Sequence, residues 1–360
     1  MIKKALVLPA VFFLLSGFSF GAEGASSAAS PDVAPARTYV DLDFGWRFNL
    51  GDFASAMQPM FDDSAWQQVN VPHDWSIAGP FSADYGSGNG YAPGGVGWYR
   101  KHFQMAASDQ GKIFTVQFDG VYDNSEVWLN GYWVGGRPNG FESYTCDLTP
   151  LLKFGGDNVL VVRVDHSRFA DSRWYTGSGI YRNVRLCITN PLHVAHWGTY
   201  VTTPAVSKDS ATVSVETTVE NSAGSHQAYS LKTDLLAPDG SVVASTTTPG
   251  AMDDGQNQTL TQDLTVPSPQ RWSPDSPILY TARTAVMANN SILDETATPF
   301  GIRTIQFDPN RGFFLNGVSM KIKGVCVHQD GGSVGVAIPL QLWERRLADL
   351  KALGVNAIRT

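Results

Sequence analysis

The stretch KIKGVCVHQDGGSVGVAIPLQLWERRLADLKALGVNAIRT, residues Lys321–Thr360, decides the fold class of the C-terminal part of the chain. Lys321–Val327 predicts one apolar strand and Val355–Arg359 a second. Between them Pro339 opens a helix with an apolar stripe, and Gly354 ends it. Strand, helix and strand form a βαβ unit with parallel strands and a right-handed crossover. A lone unit cannot cover both faces of its sheet, so we expect it to begin a larger α/β domain.

The composition favours a secreted, β-rich protein that handles sugars. The chain has 360 residues, of which 43% are hydrophobic and 16% charged, with 35 glycines and 10 tryptophans. That length predicts two or three domains. The net charge of −7 removes the electrostatic basis for nucleic-acid binding.

The N-terminus has the features of a signal peptide. Lys3 and Lys4 form a basic start, and the apolar segment Ala5–Leu15 is too short to span a bilayer. We therefore predict that residues 1–25 are a signal peptide and that the protein is periplasmic or secreted, with no membrane association after cleavage. A flexible Ala/Ser/Pro-rich leader follows.

Three cysteines, Cys146, Cys187 and Cys326, leave at least one free thiol in an exported chain. Their spacing matches no metal-binding pattern. The sequence favours buried, unreactive cysteines and leaves a single Cys146–Cys187 bridge open.

Residues 38–190 alternate short strands and turns, which predicts a jelly-roll β-sandwich. Asn130-Gly131 is a type I′ hairpin signal within it. Two loops, Pro72–Arg100 and Arg168–Arg182, are rich in aromatic residues and glycine. Long ordered loops of this kind are typical of functional sites, and these two can present aromatic faces and planar donors to a sugar.

Residues 191–302 differ in composition from the preceding segment and are dominated by Thr, Ser, Val and Ala. Alternating segments such as Ala211–Val219 and Gln258–Val266 predict an immunoglobulin-like β-sandwich of about 100 residues. Residues 303–360 follow, with a hairpin turn at Asn316-Gly317 before the βαβ unit.

Several short motifs occur in a fixed order along the chain, and together they resemble the glycoside hydrolase family 2 enzymes, especially their β-galactosidases. The resemblance covers nearly the whole chain after the leader. The motifs are Pro72-His73-Asp74-Trp75, Gly97-Trp98-Tyr99-Arg100, Phe118-Asp119-Gly120-Val121, Val127-Trp128-Leu129-Asn130-Gly131, Ser178-Gly179-Ile180-Tyr181-Arg182, Gly301-Ile302-Arg303, Phe314-Leu315-Asn316-Gly317, Lys323-Gly324-Val325 and Asn356-Ala357-Ile358-Arg359.

The resemblance implies that residues 303–360 are the beginning of a (β/α)₈ barrel, with the βαβ unit of Lys321–Thr360 as its first strand, first helix and second strand. In the family two glutamates on later barrel strands act as acid/base and nucleophile, and in retaining glycosidases such carboxyls lie roughly 5–5.5 Å apart. We expect both glutamates to lie beyond Thr360, which leaves these 360 residues without catalytic carboxylates. Glu344 sits beside Arg345 within the predicted helix and is expected on its solvated face.

The family pattern implies site-supporting residues after both barrel strands. His328 follows the first strand, where barrel active sites lie, and is expected to donate to a sugar hydroxyl. Asp330 is a weaker candidate beside it. Arg359 ends the second strand, where the family has an arginine that keeps the nucleophile ionised. The alternatives are a structural or surface histidine and a barrel salt bridge.

The jelly-roll loops supply further candidates for sugar contact or support. In the family an acidic residue before Ser-Gly-Ile reaches the sugar, and Asp171 is the nearest acid here, at a longer spacing than in some members. Arg173 and Trp174 are alternatives from the same loop, with loop packing as the structural explanation. Lone tryptophans are more often core, so Trp128 and Trp133 are assigned there. The long loop adds the candidates Asp74, Trp75, Asn89 and Tyr91, for which a structural corner is the alternative.

These features predict an exported retaining β-galactosidase that acts on an oligosaccharide or glycoside. β-Glucuronidase and β-mannosidase are alternatives within the family, and a non-catalytic carbohydrate-binding module or an adhesion protein are alternatives outside it. The βαβ unit argues against the last two, because neither needs the start of a barrel. No motif indicates a required cofactor; Mg²⁺ or Na⁺ in the complete enzyme and a homo-oligomer stay open.

Overall fold

The computed structural model of the chain describes residues 36–168 and 172–360. The predicted signal peptide and Asp171 lie outside these ranges. The described part is mainly β-structure, as the sequence predicts. Within it, no helix has both the length and the apolar character needed to cross a bilayer.

The first β-sandwich has ten strands in two antiparallel sheets. In chain order they are β1 (Arg37–Asp41), β2 (Trp46–Leu50), β3 (Gln67–Val69), β4 (Gly95–Gln104), β5 (Ile113–Phe118), β6 (Ser125–Leu129), β7 (Tyr132–Arg137), β8 (Tyr144–Asp147), β9 (Asp157–His166) and β10 (Val184–Thr189). One sheet has the order β3-β2-β4-β9-β6-β7 and the other β1-β10-β5-β8. Their inward residues, including Trp46, Phe114 and Phe118, form a shared apolar core.

The β6–β7 hairpin confirms one prediction and corrects another. Asn130 and Gly131 both have positive φ, as a type I′ turn requires. Trp128 stacks on Trp98 with ring centroids 5.6 Å apart. Trp133 is 64% exposed, so its assignment to the core is wrong. It follows the turn on β7, an edge strand of its sheet.

The second β-sandwich is immunoglobulin-like, with a three-stranded sheet packed on a four-stranded one. Its strands are β11 (Leu192–Val206), β12 (Ser210–Asn221), β13 (Gln227–Leu236), β14 (Val242–Met252), β15 (Asn257–Pro267), β16 (Tyr280–Ala288) and β17 (Ser291–Phe300). The sheet orders are β11-β12-β15 and β14-β13-β16-β17. Buried valines and leucines such as Val213, Val215 and Leu235 fill the space between them.

The cysteines agree with the sequence-based expectation of burial only in part. All three are free thiols, so a Cys146–Cys187 bridge is wrong. Cys146 is buried, and burial raises the pKa of its thiol to about 12. Cys326 is exposed on the βαβ unit, contrary to the expectation that the cysteines are buried.

The C-terminal segment contains the predicted βαβ unit. A small antiparallel sheet of β18 (Ile305–Asp308), β19 (Gly312–Leu315) and β20 (Val318–Ser319) precedes it. The unit itself comprises β21 (Gly324–Cys326), α1 (Leu340–Ala352) and β22 (Ala357–Arg359). β21 and β22 pair in parallel, with Gly324 opposite Ala357 and Cys326 opposite Arg359.

The ends of α1 follow from their sequence. Pro339 has φ −62° and ψ 148° and so occupies the N-cap rather than the predicted first helical position. At the other end Gly354 has φ +85°. Its N–H bonds to Lys351 O at 2.9 Å, and Val355 N–H bonds to Leu350 O at 3.1 Å. This pair of bonds is a Schellman motif, which confirms Gly354 as the residue that ends the helix.

Candidate active-site cavity

A cavity of about 770 Å³ lies where the jelly-roll loops meet the carboxyl ends of β21 and β22. It brings together three residues that the sequence singles out, Trp174, His328 and Arg359. The other lining residues are Asp119, Phe141, Ser143, Tyr181, Arg182, Asn183, Cys326, Val327, Gln329, Trp343 and Thr360. The cavity therefore combines aromatic faces, amides and both signs of charge, which suits a polyhydroxylated ligand.

Trp174 and His328 form the contact between the two parts of the cavity. Their ring centroids are 6.4 Å apart at an interplanar angle of 77°, an edge-to-face arrangement. Trp174 is 42% exposed, so one face stays open to a ligand. Gln329, next to His328, donates from Nε2 to Tyr175 O at 3.3 Å. The loop after β21 and the 172–182 loop therefore hold each other in place.

Asp74 anchors both loops from within the protein. Its Oδ1 accepts the N–H groups of Ser76 at 3.1 Å and Ser178 at 3.0 Å. Its Oδ2 accepts the Tyr175 hydroxyl at 2.6 Å and Val336 N–H at 2.9 Å. The carboxyl is thus shared by the long jelly-roll loop, the 172–182 loop and the loop before α1. Burial raises the pKa of Asp74, although these four donors oppose the shift.

Two glycines let the loops approach this carboxyl. A Cβ at Gly335, whose φ is +59°, would overlap Asp74 Oδ2. A Cβ at Gly177 would lie 2.7 Å from the same oxygen. Both backbones therefore pack directly on the carboxyl, which only a residue without a side chain permits.

His73 and Tyr99 support the region around Asp74. His73 Nδ1 is hydrogen-bonded to the Tyr99 hydroxyl at 2.8 Å. Burial lowers the pKa of His73 to about 4, so its imidazole is neutral at neutral pH. Burial also raises the pKa of Tyr175 and Tyr181, and both phenols stay protonated.

Four candidates from the long loop do not contact the cavity. Asp74, Trp75 and Asn89 are buried, so of the two predicted roles, sugar contact or support of the site, their position is compatible with support. Trp75 stacks on Phe48 at 5.6 Å, and Asn89 Oδ1 accepts Thr176 N–H at 3.2 Å. A supporting role is what this geometry allows them. Tyr91 is exposed but does not line the cavity.

The remaining candidates divide in the same way. Arg173 is exposed and does not line the cavity. Asp330 accepts a hydrogen bond from Arg346 Nη1 at its backbone oxygen, at 2.9 Å. Asp171 lies outside the described residues. Glu344 is exposed on α1, as expected.

The walls also contain residues that sequence reasoning missed as site residues. Asp119 is paired with Arg185 and accepts Gln117 Nε2 at 2.7 Å. Arg182 lies over the Tyr181 ring, 5.6 Å from its centroid. Asp119 belongs to the family motif Phe118–Val121 and Arg182 to the motif Ser178–Arg182. Their position in these motifs was the sequence signal that could have identified them.

The described residues offer no cluster of the usual side-chain metal ligands. Across 36–168 and 172–360, no three His, Cys, Asp or Glu side chains come together as metal ligands. No chemical step is therefore assigned to Mg²⁺ or Na⁺ in this part of the chain.

Comparison with known proteins identifies two domains by sequence. Residues 40–191 match the sugar binding domain of glycosyl hydrolases family 2, and residues 192–303 match a second domain of that family. The β-galactosidase BoGH2A of Bacteroides ovatus is 47% identical over 94% of this chain and 40% of its own length. A putative β-glucuronidase of Formosa agariphila is 38% identical over 90% of this chain and 31% of its own.

Solved structures agree with these matches. A glycosyl hydrolase family 2 member from Bacteroides cellulosilyticus superposes with a TM-score of 0.86 at 39% identity, covering 89% of this chain and 42% of that one. A β-glucuronidase from Bacteroides uniformis gives 0.83 at 28% identity, covering 90% and 39%. The chain thus spans about 40% of the length of these relatives.

Proposed function

The chain belongs to glycosyl hydrolase family 2, and on that basis we propose that it is the N-terminal portion of an exported β-glycosidase acting on terminal β-galactosides. The reaction is a double displacement with retention at the anomeric carbon, and its two catalytic glutamates belong to barrel strands beyond Thr360. The relatives' greater length supports this assignment. The basic start and short apolar segment of residues 1–25 support export.

One observation carries the proposal: Trp174 of the jelly roll meets His328 at the carboxyl end of β21, within a single cavity. Barrel enzymes place their active sites at this end of the strands. The open face of Trp174 stacks on the apolar face of a sugar ring. His328 donates to a ring hydroxyl, and Arg359 keeps a nearby carboxylate nucleophile ionised.

A β-glucuronidase is the second candidate. Arg182 and Arg359 both line the cavity, and a guanidinium is a strong partner for the carboxylate of a uronic acid. The galactosidase is preferred because the β-galactosidase of Bacteroides ovatus is 47% identical to this chain, against 38% for the putative β-glucuronidase of Formosa agariphila.

Hydrolysis of nitrophenyl glycosides by the full-length polypeptide tests the proposal. We expect turnover of the β-galactoside to exceed that of the β-glucuronide, with a β-anomer as the first product by NMR. Residues 26–360 alone should hydrolyse neither substrate. Preference for the glucuronide would replace the first candidate with the second, and an α-anomeric first product would contradict the retaining mechanism.

A further inference from the structure

A second cavity, of about 380 Å³, adjoins the first along the jelly-roll surface. It is lined by Gly135, Gly136, Arg137, Ser143, Tyr144, Thr145, His196 and Trp197. Ser143 also lines the first cavity, and Phe141 lies two residues before it on that wall. Because Ser143 lines both cavities, they meet at this residue, and together they are called the groove below, with Trp197 at its outer end.

This outer end of the groove spans the two sandwiches. Gly135 to Thr145 belong to the β7–β8 region of the jelly roll, whereas His196 and Trp197 belong to β11 of the immunoglobulin-like sandwich. An aromatic platform from one domain thus faces a polar wall from the other. Neither sandwich alone would form the site.

Trp197 is presented by a distortion of β11. The pairing of β11 with β12 is interrupted between Val194 and Thr199, so residues 195–198 lie opposite Thr218 alone. Within this bulge Trp197 has φ +52°, an uncommon conformation for a bulky residue. The next residue must be small, because a Cβ at Gly198 would lie 2.8 Å from Thr218 O.

The bulge leaves the indole exposed yet fixed in orientation. Trp197 is 71% exposed, far more than a tryptophan that serves packing. It is stacked on the His196 ring, with centroids 4.6 Å apart and planes 29° from parallel. One face is therefore backed by His196, and the opposite face is free for a ligand.

The wall across from Trp197 supplies polar groups. Arg137 is half-exposed and is paired with Glu142, with Nε and Oε2 3.4 Å apart. Ser143 donates its hydroxyl to Asp119 O at 3.0 Å, which leaves its oxygen free to accept. Thr145 lines the same cavity. Planar donors and hydroxyls opposite an aromatic face are the chemistry that recognises a pyranose.

We propose that this outer groove is a distal subsite for glycosyl residues of an oligosaccharide whose terminal residue occupies the first cavity. The inference rests on the proposed function for its orientation, since the first cavity must hold the residue that is cleaved. The substrate class is accordingly an oligosaccharide rather than a simple disaccharide. The chain's net charge of −7 argues against an anionic polymer as the occupant.

The test is binding of β-1,4-linked galactotetraose by the chain, followed by saturation-transfer NMR and by tryptophan fluorescence. We expect Trp197→Ala to weaken tetraose binding about tenfold, equivalent to roughly 1.4 kcal/mol. Binding of methyl β-galactoside should be unchanged. Trp197→Phe should recover most of the affinity, because a planar ring is restored, and far-UV circular dichroism of each variant checks the fold.

Trp133→Ala is the matched control, since Trp133 is similarly exposed on β7 but lines neither cavity. It should bind tetraose as the wild type does. Wild-type affinity in Trp197→Ala, or no tetraose binding by the wild type, would overturn the inference.

The same variant in the full-length polypeptide separates this inference from the proposed function. Trp197→Ala should lower kcat/KM for the tetraose about tenfold and leave that for nitrophenyl β-galactoside unchanged. Equal loss on both substrates would overturn the distal subsite alone. An enzyme that cleaves no β-galactoside would contradict the proposed function, while tetraose binding by the chain would still decide the groove.

Discussion

Asp74 is the residue on which the geometry of the candidate site depends most. Its two oxygens accept four donors from three separate segments. We expect Asp74→Asn to lower the free energy of unfolding by several kcal/mol, because an amide NH₂ replaces one oxygen and faces two donors, each costing about 1–3 kcal/mol when unpaired. Urea unfolding followed by circular dichroism measures this change.

Asp84→Asn provides the control for that substitution. Asp84 lies in the same long loop but is exposed, with only Ser82 as a side-chain partner at 3.2 Å. Its replacement should change stability by about 0.5 kcal/mol or less. Equal effects of the two substitutions would show that Asp74 does not anchor the loops.

His73 gives the stability of the protein a defined pH dependence. Burial lowers its pKa to about 4, below the ordinary value of 6.5, so the folded state binds fewer protons in that interval. The contribution of the neutral His73 imidazole to the free energy of unfolding is therefore complete above pH 6.5 and is lost as the pH falls towards 4. We expect His73→Gln to remove the part of the acid-induced loss of stability that His73 causes. That part is a slope of up to roughly 1.4 kcal/mol per pH unit in the free energy of unfolding.

Guanidinium-induced unfolding of both proteins at several pH values between 4 and 7 measures the difference. Gln68→Ala, at an exposed position of β3, removes no titratable group and should keep the wild-type slope. If His73→Gln keeps it as well, the His73 imidazole is not held neutral by burial.

At the residue scale, the sequence predicted which residues could serve a site better than it predicted whether their side chains are buried or exposed. Trp174, His328 and Arg359 were predicted from motif position and do line one cavity. Asp74 and Asn89 could not be told from exposed polar residues, because their burial depends on segments distant in sequence. Trp133 fails for the same reason, since only the sheet order shows that β7 is an edge.

At the element scale, the loop between β21 and α1 is docked by its backbone. Gly335 has φ +59° and has no room for a Cβ against Asp74. We expect Gly335→Ala to destabilise the protein by about 1–3 kcal/mol through strain and displacement of the carboxyl. The Trp174 contribution to the emission, obtained by subtracting the spectrum of the matching Trp174→Phe protein because the chain has 10 tryptophans, should shift towards that of a solvated indole.

Gly332→Ala in the same loop is the matched control, because nothing lies within 4 Å of its Cβ position. It should fluoresce and unfold like the wild type. A normal emission spectrum in Gly335→Ala would mean that the loop does not position Trp174.

The elements most accurately predicted are those with local signals. The hairpins at Asn130-Gly131 and Asn316-Gly317 and the Schellman end of α1 follow from residues that favour positive φ. The bulge at residues 195–198 carries no comparable signal. It is defined by the pairing of β11 with β12 on either side of it, which is a property of the tertiary structure.

At the scale of the whole molecule, a buried ion pair joins the two sandwiches. Arg37 on β1 bonds through Nε and Nη2 to the two carboxylate oxygens of Asp294 on β17, at 2.9 and 2.7 Å. Arg37 Nη2 also donates to Val194 O at 2.5 Å, and Val194 N–H donates to Asp294 Oδ2 at 2.8 Å. Val194 is the last paired residue before the bulge that presents Trp197. The ion pair therefore holds the two walls of the outer groove in register.

Arg37→Met tests this coupling without altering a groove residue. Removing one partner of a buried pair costs about 3–5 kcal/mol, so we expect the sandwiches to unfold in separate calorimetric transitions. Tetraose affinity should fall as in Trp197→Ala, while methyl β-galactoside binding stays unchanged, because only the outer groove spans the contact between the two sandwiches.

Arg311→Met is the control. It breaks an exposed ion pair with Asp308 at 2.8 Å, so it should lower the free energy of unfolding by no more than about 1 kcal/mol and leave the binding of both ligands unchanged. If Arg37→Met keeps one transition and full tetraose affinity, packing between the sandwiches alone sets the groove, and the ion pair contributes nothing to the distal subsite.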